Sequence, residues 1–109
     1  MTTKNGKKQR PSDYKEFLQE ELADVGTAAA YLTAAFLESE EVFLLAIRDV
    51  VEARGGIATL AKATTLNREG LYDMLSAKGN PRLSSLSSIL DELGITVNFT
   101  PKLEGTKAA

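Results

Sequence analysis

The sequence predicts an all-α fold that closes with one short β-strand. Two patterns lead there. Apolar residues recur at spacings of three and four through most of the chain, with breaks rich in glycine, serine or asparagine between the runs. Residues 95 to 99 alternate apolar and polar instead, which is the strand pattern. At 109 residues the chain is large enough for one hydrophobic core and too small for two.

Met1 to Pro11 is polar, basic and without periodicity, and reads as a disordered arm. Ser12 is placed to cap a first helix that runs to about Val25, with Tyr14, Phe17, Leu18, Leu22 and Val25 on one side and Gly26 as its stop. A second helix, roughly Thr27 to Glu38, is rich in alanine and carries Tyr31, Leu32, Ala35 and Phe36 inward. Ser39, with Glu40 and Glu41 behind it, opens a third helix whose Phe43, Ala46, Ile47, Val50 and Val51 face the core. Arg54-Gly55-Gly56 breaks that helix, since both glycines accept backbone angles that other residues avoid. The aromatic side chains of this region are expected in the core.

Residues 56 to 77 read as a helix-turn-helix, the unit around which the chain is organised. Ile57, Leu60 and Ala61 share one helical face, Leu71, Met74 and Leu75 another, and Thr64-Thr65-Leu66 is a short enough interruption to turn one helix sharply against the next. Ala61 is small enough to let the two backbones approach closely. Asn67 is a good N-cap, and Glu69 in the first turn suits the helix dipole. The second helix then exposes Asn67, Arg68, Glu69, Tyr72 and Asp73. In such a motif that exposed start enters the major groove, where Asn and Arg make bidentate bonds to adenine and guanine. The alternative is an ordinary helical hairpin in a small bundle, which has the same apolar spacing.

Lys78-Gly79-Asn80-Pro81-Arg82 is composed of turn-forming residues. Leu83, Leu86, Ile89, Leu90 and Leu93 then mark a last helix that ends at Gly94, with Ser84, Ser85, Ser87 and Ser88 on its outer face. Ile95 to Phe99 follows as a half-buried strand, stopped by Pro101. A lone strand leaves backbone groups unpaired, so two subunits are expected to pair through it or pack around it, giving a homodimer of the kind palindromic half-sites require. The segments are thus a basic arm (1–11), N-terminal acidic helices (12–54), a helix-turn-helix head with its strand (55–100) and a tail (101–109).

Cysteine and histidine are both absent, which excludes disulfides, thiol nucleophiles, imidazole bases and the usual zinc ligand sets. Neither metal nor cofactor is expected. Acid pairs such as Glu20-Glu21 and Glu40-Glu41 lie at helix ends in solvent and not in an enclosed site, so an enzyme fits poorly. No apolar run reaches membrane-spanning length and no signal-peptide pattern opens the chain, which together predict a cytoplasmic protein with no membrane partner. The net charge of −2 hides an asymmetry: +4 over residues 1–11, −8 over 12–53 and +2 over 54–109. Acid gathers in the early helices and base in the arm and around the reading helix, as on a protein that meets nucleic acid with part of its surface.

The stretch from Phe43 to Val97 resembles the probable addiction-module antidote proteins, HigA-like antitoxins with a Cro/λ-repressor type helix-turn-helix. The likeness is carried by residues 46–56, by Leu60-Ala61-Lys62, by Leu66-Asn67-Arg68-Glu69-Gly70-Leu71-Tyr72, by Leu75-Ser76-Ala77-Lys78-Gly79-Asn80-Pro81-Arg82-Leu83 and by Leu93-Gly94-Ile95. It implies a λ-repressor-like bundle with extra N-terminal helices, and a bacterial antitoxin that neutralises a RelE/HigB-type toxin and represses their shared promoter. The chain departs from the family pattern at Thr59 (commonly glutamine), Thr65 (glycine), Asn67 (serine), Gly70 (serine) and Asp73 (lysine).

On this reading a dimer binds a short operator in double-stranded DNA. Asn67 and Arg68 read base edges, and Tyr72 touches a thymine methyl or a phosphate. Glu69 and Asp73 share the reading face, where Asp73 can accept from cytosine N4. Lys62, Lys78 and Arg82, with the Thr59 and Ser76 hydroxyls, hold the DNA backbone. Two alternatives stand beside it: an interaction module that neutralises a toxin without touching DNA, and a regulator with no toxin.

Overall fold

The computed structural model describes residues 11–103, so most of the basic arm and the end of the tail lie outside the described residues. Six helices follow in order: α1 (Pro11–Leu22), α2 (Val25–Glu38), α3 (Glu40–Ala53), α4 (Gly56–Ala63), α5 (Arg68–Met74) and α6 (Leu83–Glu92). α3 is the shared wall. It packs against α1 and α2 on one side and α4 on the other, while α4 in turn carries α5 and α6. Leu44, Ala46, Ile47, Val50 and Val51 of α3 are all buried, in one core with Leu22, Leu32, Ile57, Leu60, Leu71, Leu75 and Ile89. The 12–54 and 55–100 segments therefore meet through α3.

Local chemistry sets the boundaries. Ser39, in extended backbone, donates its N–H to the Ala35 carbonyl at 3.2 Å and accepts from the Val42 N–H at 3.0 Å. One serine thus ends α2 and starts α3, at the place the sequence marks. The first boundary differs from expectation. Asp24, not Gly26, separates α1 from α2: its carboxylate accepts from the Thr27 N–H (2.8 Å) and hydroxyl (2.9 Å), and Gly26 falls inside the first turn of α2. Gly26 does not adopt the positive φ that makes a glycine a helix stop. The two Thr27 bonds stabilise the ionised Asp24 and hold its pKa below the ordinary 3.8. Ser12 lies within α1 and does not precede it as a cap. At the α3–α4 break Gly55 and Gly56 have φ of 119° and 89°, so the chain reverses there in a conformation closed to other residues.

Four side chains expected inside are not. Tyr14 is 56% exposed, Phe17 55%, Val25 44% and Phe36 60%. The buried positions of α2 are taken instead by Ala28, Leu32 and Ala35, and that of α1 by Leu22. Leu83 is exposed as well, because it opens α6 before that helix reaches the core, which it meets from Leu86 onward. Residues 95–100 form no strand. Ile95 is tied to the end of α6 by its N–H bond to the Leu90 carbonyl and packs on the core, but a strand needs a ladder partner and none exists among the described residues. No helix among them is long and apolar enough to cross a membrane.

α2 is pinned to α3 by one polar bond, from the Tyr31 hydroxyl to the Asp49 carboxylate at 2.7 Å. Desolvation, reinforced by that carboxylate, raises the phenol's pKa well above 10. The unfolded chain releases the proton near pH 10 while the fold holds it, so this contribution is present below pH 10 and is lost as pH rises beyond it. Alkaline titration by tyrosine absorbance is expected to show a late-ionising phenol that Tyr31→Phe removes. Ile47→Ala is expected to cost about 2–5 kcal/mol in urea unfolding, since Ile47 is fully buried where the two halves meet.

Candidate nucleic-acid interface

α4 and α5 are joined by residues 64–67, and their geometry rests on two side chains. The Thr64 hydroxyl donates to the Leu60 carbonyl at the end of α4 (2.9 Å) and accepts from the Leu66 N–H (3.2 Å). This single hydroxyl ends one helix and bends the chain toward the next. No non-glycine residue among those described has a positive φ, so Thr65 fits the turn without the left-handed conformation a glycine would supply. Asn67 then caps α5, its side-chain oxygen accepting from the Gly70 N–H at 2.6 Å. A Cβ on Gly70 would stand 3.2 Å from that oxygen, so glycine leaves the cap uncrowded.

α5 presents two unlike sides. Leu71 and Leu75 are fully buried, with Met74 partly so, while Asn67, Arg68, Glu69, Tyr72 and Asp73 are exposed. These five share one short rod that packs chiefly on α4. Lys62 near the end of α4, Lys78 beyond α5 and Arg82 before α6 are also exposed. Gly79, in that connection, permits a close approach, because a Cβ there would run into the Met74 carbonyl oxygen. Ser76 is half-buried and donates its hydroxyl to the Asp73 carbonyl at 2.9 Å, closing the end of α5. Thr59 stands apart. It borders a shallow depression with Arg54, Glu92 and Leu93, none of them in α5.

Arg48 was not among the residues singled out from the sequence. Its guanidinium lies 5.1 Å from the centre of the Tyr72 ring, adding a base from α3 to the exposed side of α5. Such stacking at an exposed site contributes about 0.5–1 kcal/mol and steadies the Tyr72 ring. The two residues are distant in sequence and no local pattern links them.

A family model described as "Probable addiction module antidote protein" matches residues 9–101. The chain belongs to this family. No curated protein and no solved structure matches it. The family match takes in α1, α2 and α3 as well as the α4–α5 unit. Membership implies a toxin partner and points to a regulatory protein. Among the described residues, no group of acidic side chains could hold a metal ion.

Loss of the cap is expected to loosen α5 selectively. Asn67→Ala should lower stability by about 0.5–2 kcal/mol in urea unfolding. Asn67→Ser, which restores an accepting oxygen, should recover most of that loss.

Proposed function

We propose that this antidote is a sequence-specific DNA-binding antitoxin that represses its own operon as a homodimer and neutralises a RelE/HigB-type toxin. On this reading α4 and α5 are a Cro/λ-repressor type helix-turn-helix of a HigA-like protein. One observation carries it: α5 is anchored by fully buried Leu71 and Leu75 while Asn67, Arg68, Glu69, Tyr72 and Asp73 are exposed, with Arg48 of α3 over the Tyr72 ring. A capped, polar-faced rod standing at the rim is what a major groove admits.

Arg68 and Asn67 read base edges, with Tyr72, held by Arg48, against a thymine methyl or a phosphate. Asp73 and Glu69 discriminate by accepting from cytosine and repelling misplaced phosphates. Lys62, Lys78 and Arg82 contact the DNA backbone, and the Ser76 and Thr59 hydroxyls lie nearer its edge. Dimerisation through residues 95–99 would give that segment the ladder partner it lacks among the described residues. Val97 and Phe99 there are 58% and 94% exposed, apolar surface that an interface would cover.

The second reading, toxin neutralisation without DNA contact, is favoured by the two acids on the exposed side of α5 and by the inward-turned Ser76 hydroxyl. Salt dependence separates the two. Binding to the DNA upstream of the protein's own gene, measured by gel shift, is expected to weaken steeply with salt, with a slope of about −0.9 per phosphate neutralised. Arg68→Ala should cost about 1–3 kcal/mol of discrimination with little change in Tm, whereas Lys78→Ala should reduce the slope by about one and leave sequence preference intact. Equal affinity of wild type and Arg68→Ala for operator and random DNA would refute the base-reading assignment. A monomer in sedimentation at micromolar concentration would remove the dimer.

A further inference from the structure

The elbow between α2 and α3 carries apolar side chains that nothing in the described chain covers. At the end of α2, Phe36 is 60% exposed and Leu37 79%; at the start of α3, Val42 is 37% exposed and Leu45, one turn further, 42%. Ser39 caps both helices, and Phe36 meets Phe43 edge to face with ring centres 5.1 Å apart. The two helix ends are therefore held together, and the exposed side chains sit on either side of that one elbow. Exposed apolar surface gathered in this way marks an interaction site. Its rim is acidic. Glu38, Glu40 and Glu41 are exposed, and none has a salt-bridge partner among the described residues. No lysine or arginine occurs between Lys15 and Arg48 to neutralise them locally.

That rim selects the occupant. A second copy docked on the same patch about a two-fold axis would bring two sets of carboxylates into one interface with no base to meet them. A cationic protein meets the opposite condition, gaining both the apolar contact and charge complementarity. We propose that the α2–α3 elbow is the docking surface for the toxin, a small basic protein that covers Phe36, Leu37, Val42 and Leu45 and sets lysines or arginines against Glu38, Glu40 and Glu41. The inference rests on the toxin partnership proposed above: a ribonuclease-type toxin must be cationic where it grips RNA phosphates. α2 packs on α1 and α3, and α5 chiefly on α4, so toxin and DNA would meet different parts of one molecule.

Calorimetric titration of the full chain with the protein encoded by the adjoining reading frame tests the assignment. Two variants serve, Leu37→Ser/Leu45→Ser and Glu38→Lys/Glu41→Lys, each altering only exposed side chains, with helix content and Tm followed by circular dichroism. The wild type is expected to bind, and each variant, still folded, to bind roughly tenfold or more weakly. The charge-reversed variant is also expected to lose most of the salt dependence of binding. Wild-type affinity in both variants would overturn the elbow and leave the toxin partnership standing. No binding by the wild type would overturn the partnership and the elbow with it. Loss of a concentration-dependent dimer at unchanged toxin affinity would show a second copy to be the occupant and overturn the proposal.

Discussion

The structure depends on a single helix having to satisfy neighbours on both sides. α3 buries Leu44, Ala46, Ile47, Val50 and Val51, an apolar arc wide enough to pack α1 and α2 on one flank and α4 on the other. A helix that served one flank would need only a narrow stripe. Its polar side chains bridge outward in the same two directions: Asp49 accepts from Tyr31 on α2, and the next residue back, Arg48, lies over Tyr72 on α5. Consecutive residues thus reach the two halves of the molecule. The acidic helices and the α4–α5 unit are held as parts of one core because neither could bury its apolar face without α3.

On that frame the exposed surface of α5 is set by short-range bonds. Thr64 closes α4 and shapes the turn with one hydroxyl, Asn67 opens α5, and Ser76 closes it. A seven-residue helix has too few internal hydrogen bonds to hold itself, so caps at both ends and two fully buried leucines are what keep it formed. Under the proposed DNA-binding reading that rigidity would matter, because groove recognition needs side chains projected from a fixed axis. Charge is uneven along the chain, −8 over residues 12–53 and +2 over 54–109, with Arg68, Lys78 and Arg82 exposed beside Glu69 and Asp73.

Much of this was legible in the sequence where the controlling interaction is local. Ser39 and Asn67 act as the caps they were read to be, and Arg54-Gly55-Gly56 breaks α3, because a cap or a glycine turn is a matter of three or four neighbouring residues. Gly26 misled because Asp24, two residues earlier, supplies a carboxylate cap that ends the competition without any left-handed residue. The readings that failed were those about depth. Tyr14, Phe17 and Phe36 lie on apolar stripes yet remain exposed, since a stripe gives the side of a helix that faces its neighbours and not how far each position lies from the seam. Ile95 to Phe99 has strand-like alternation and, among the described residues, no partner with which to become one.

Taken alone, the amino-acid order determined that this chain is helical, where most of its helices begin and end, and which side of α5 is polar, since periodicity and capping act within a turn or two of backbone. Tertiary packing decided the rest. It brought Arg48 onto Tyr72 and Tyr31 onto Asp49, set Thr59 beside Arg54 and Glu92 away from the exposed row of α5, and left the apolar elbow at Phe36 to Leu45 uncovered. Each of these depends on how helices distant in sequence cross. Crossing is settled by the volumes of buried side chains fitting together, a property of the whole core that no single segment carries.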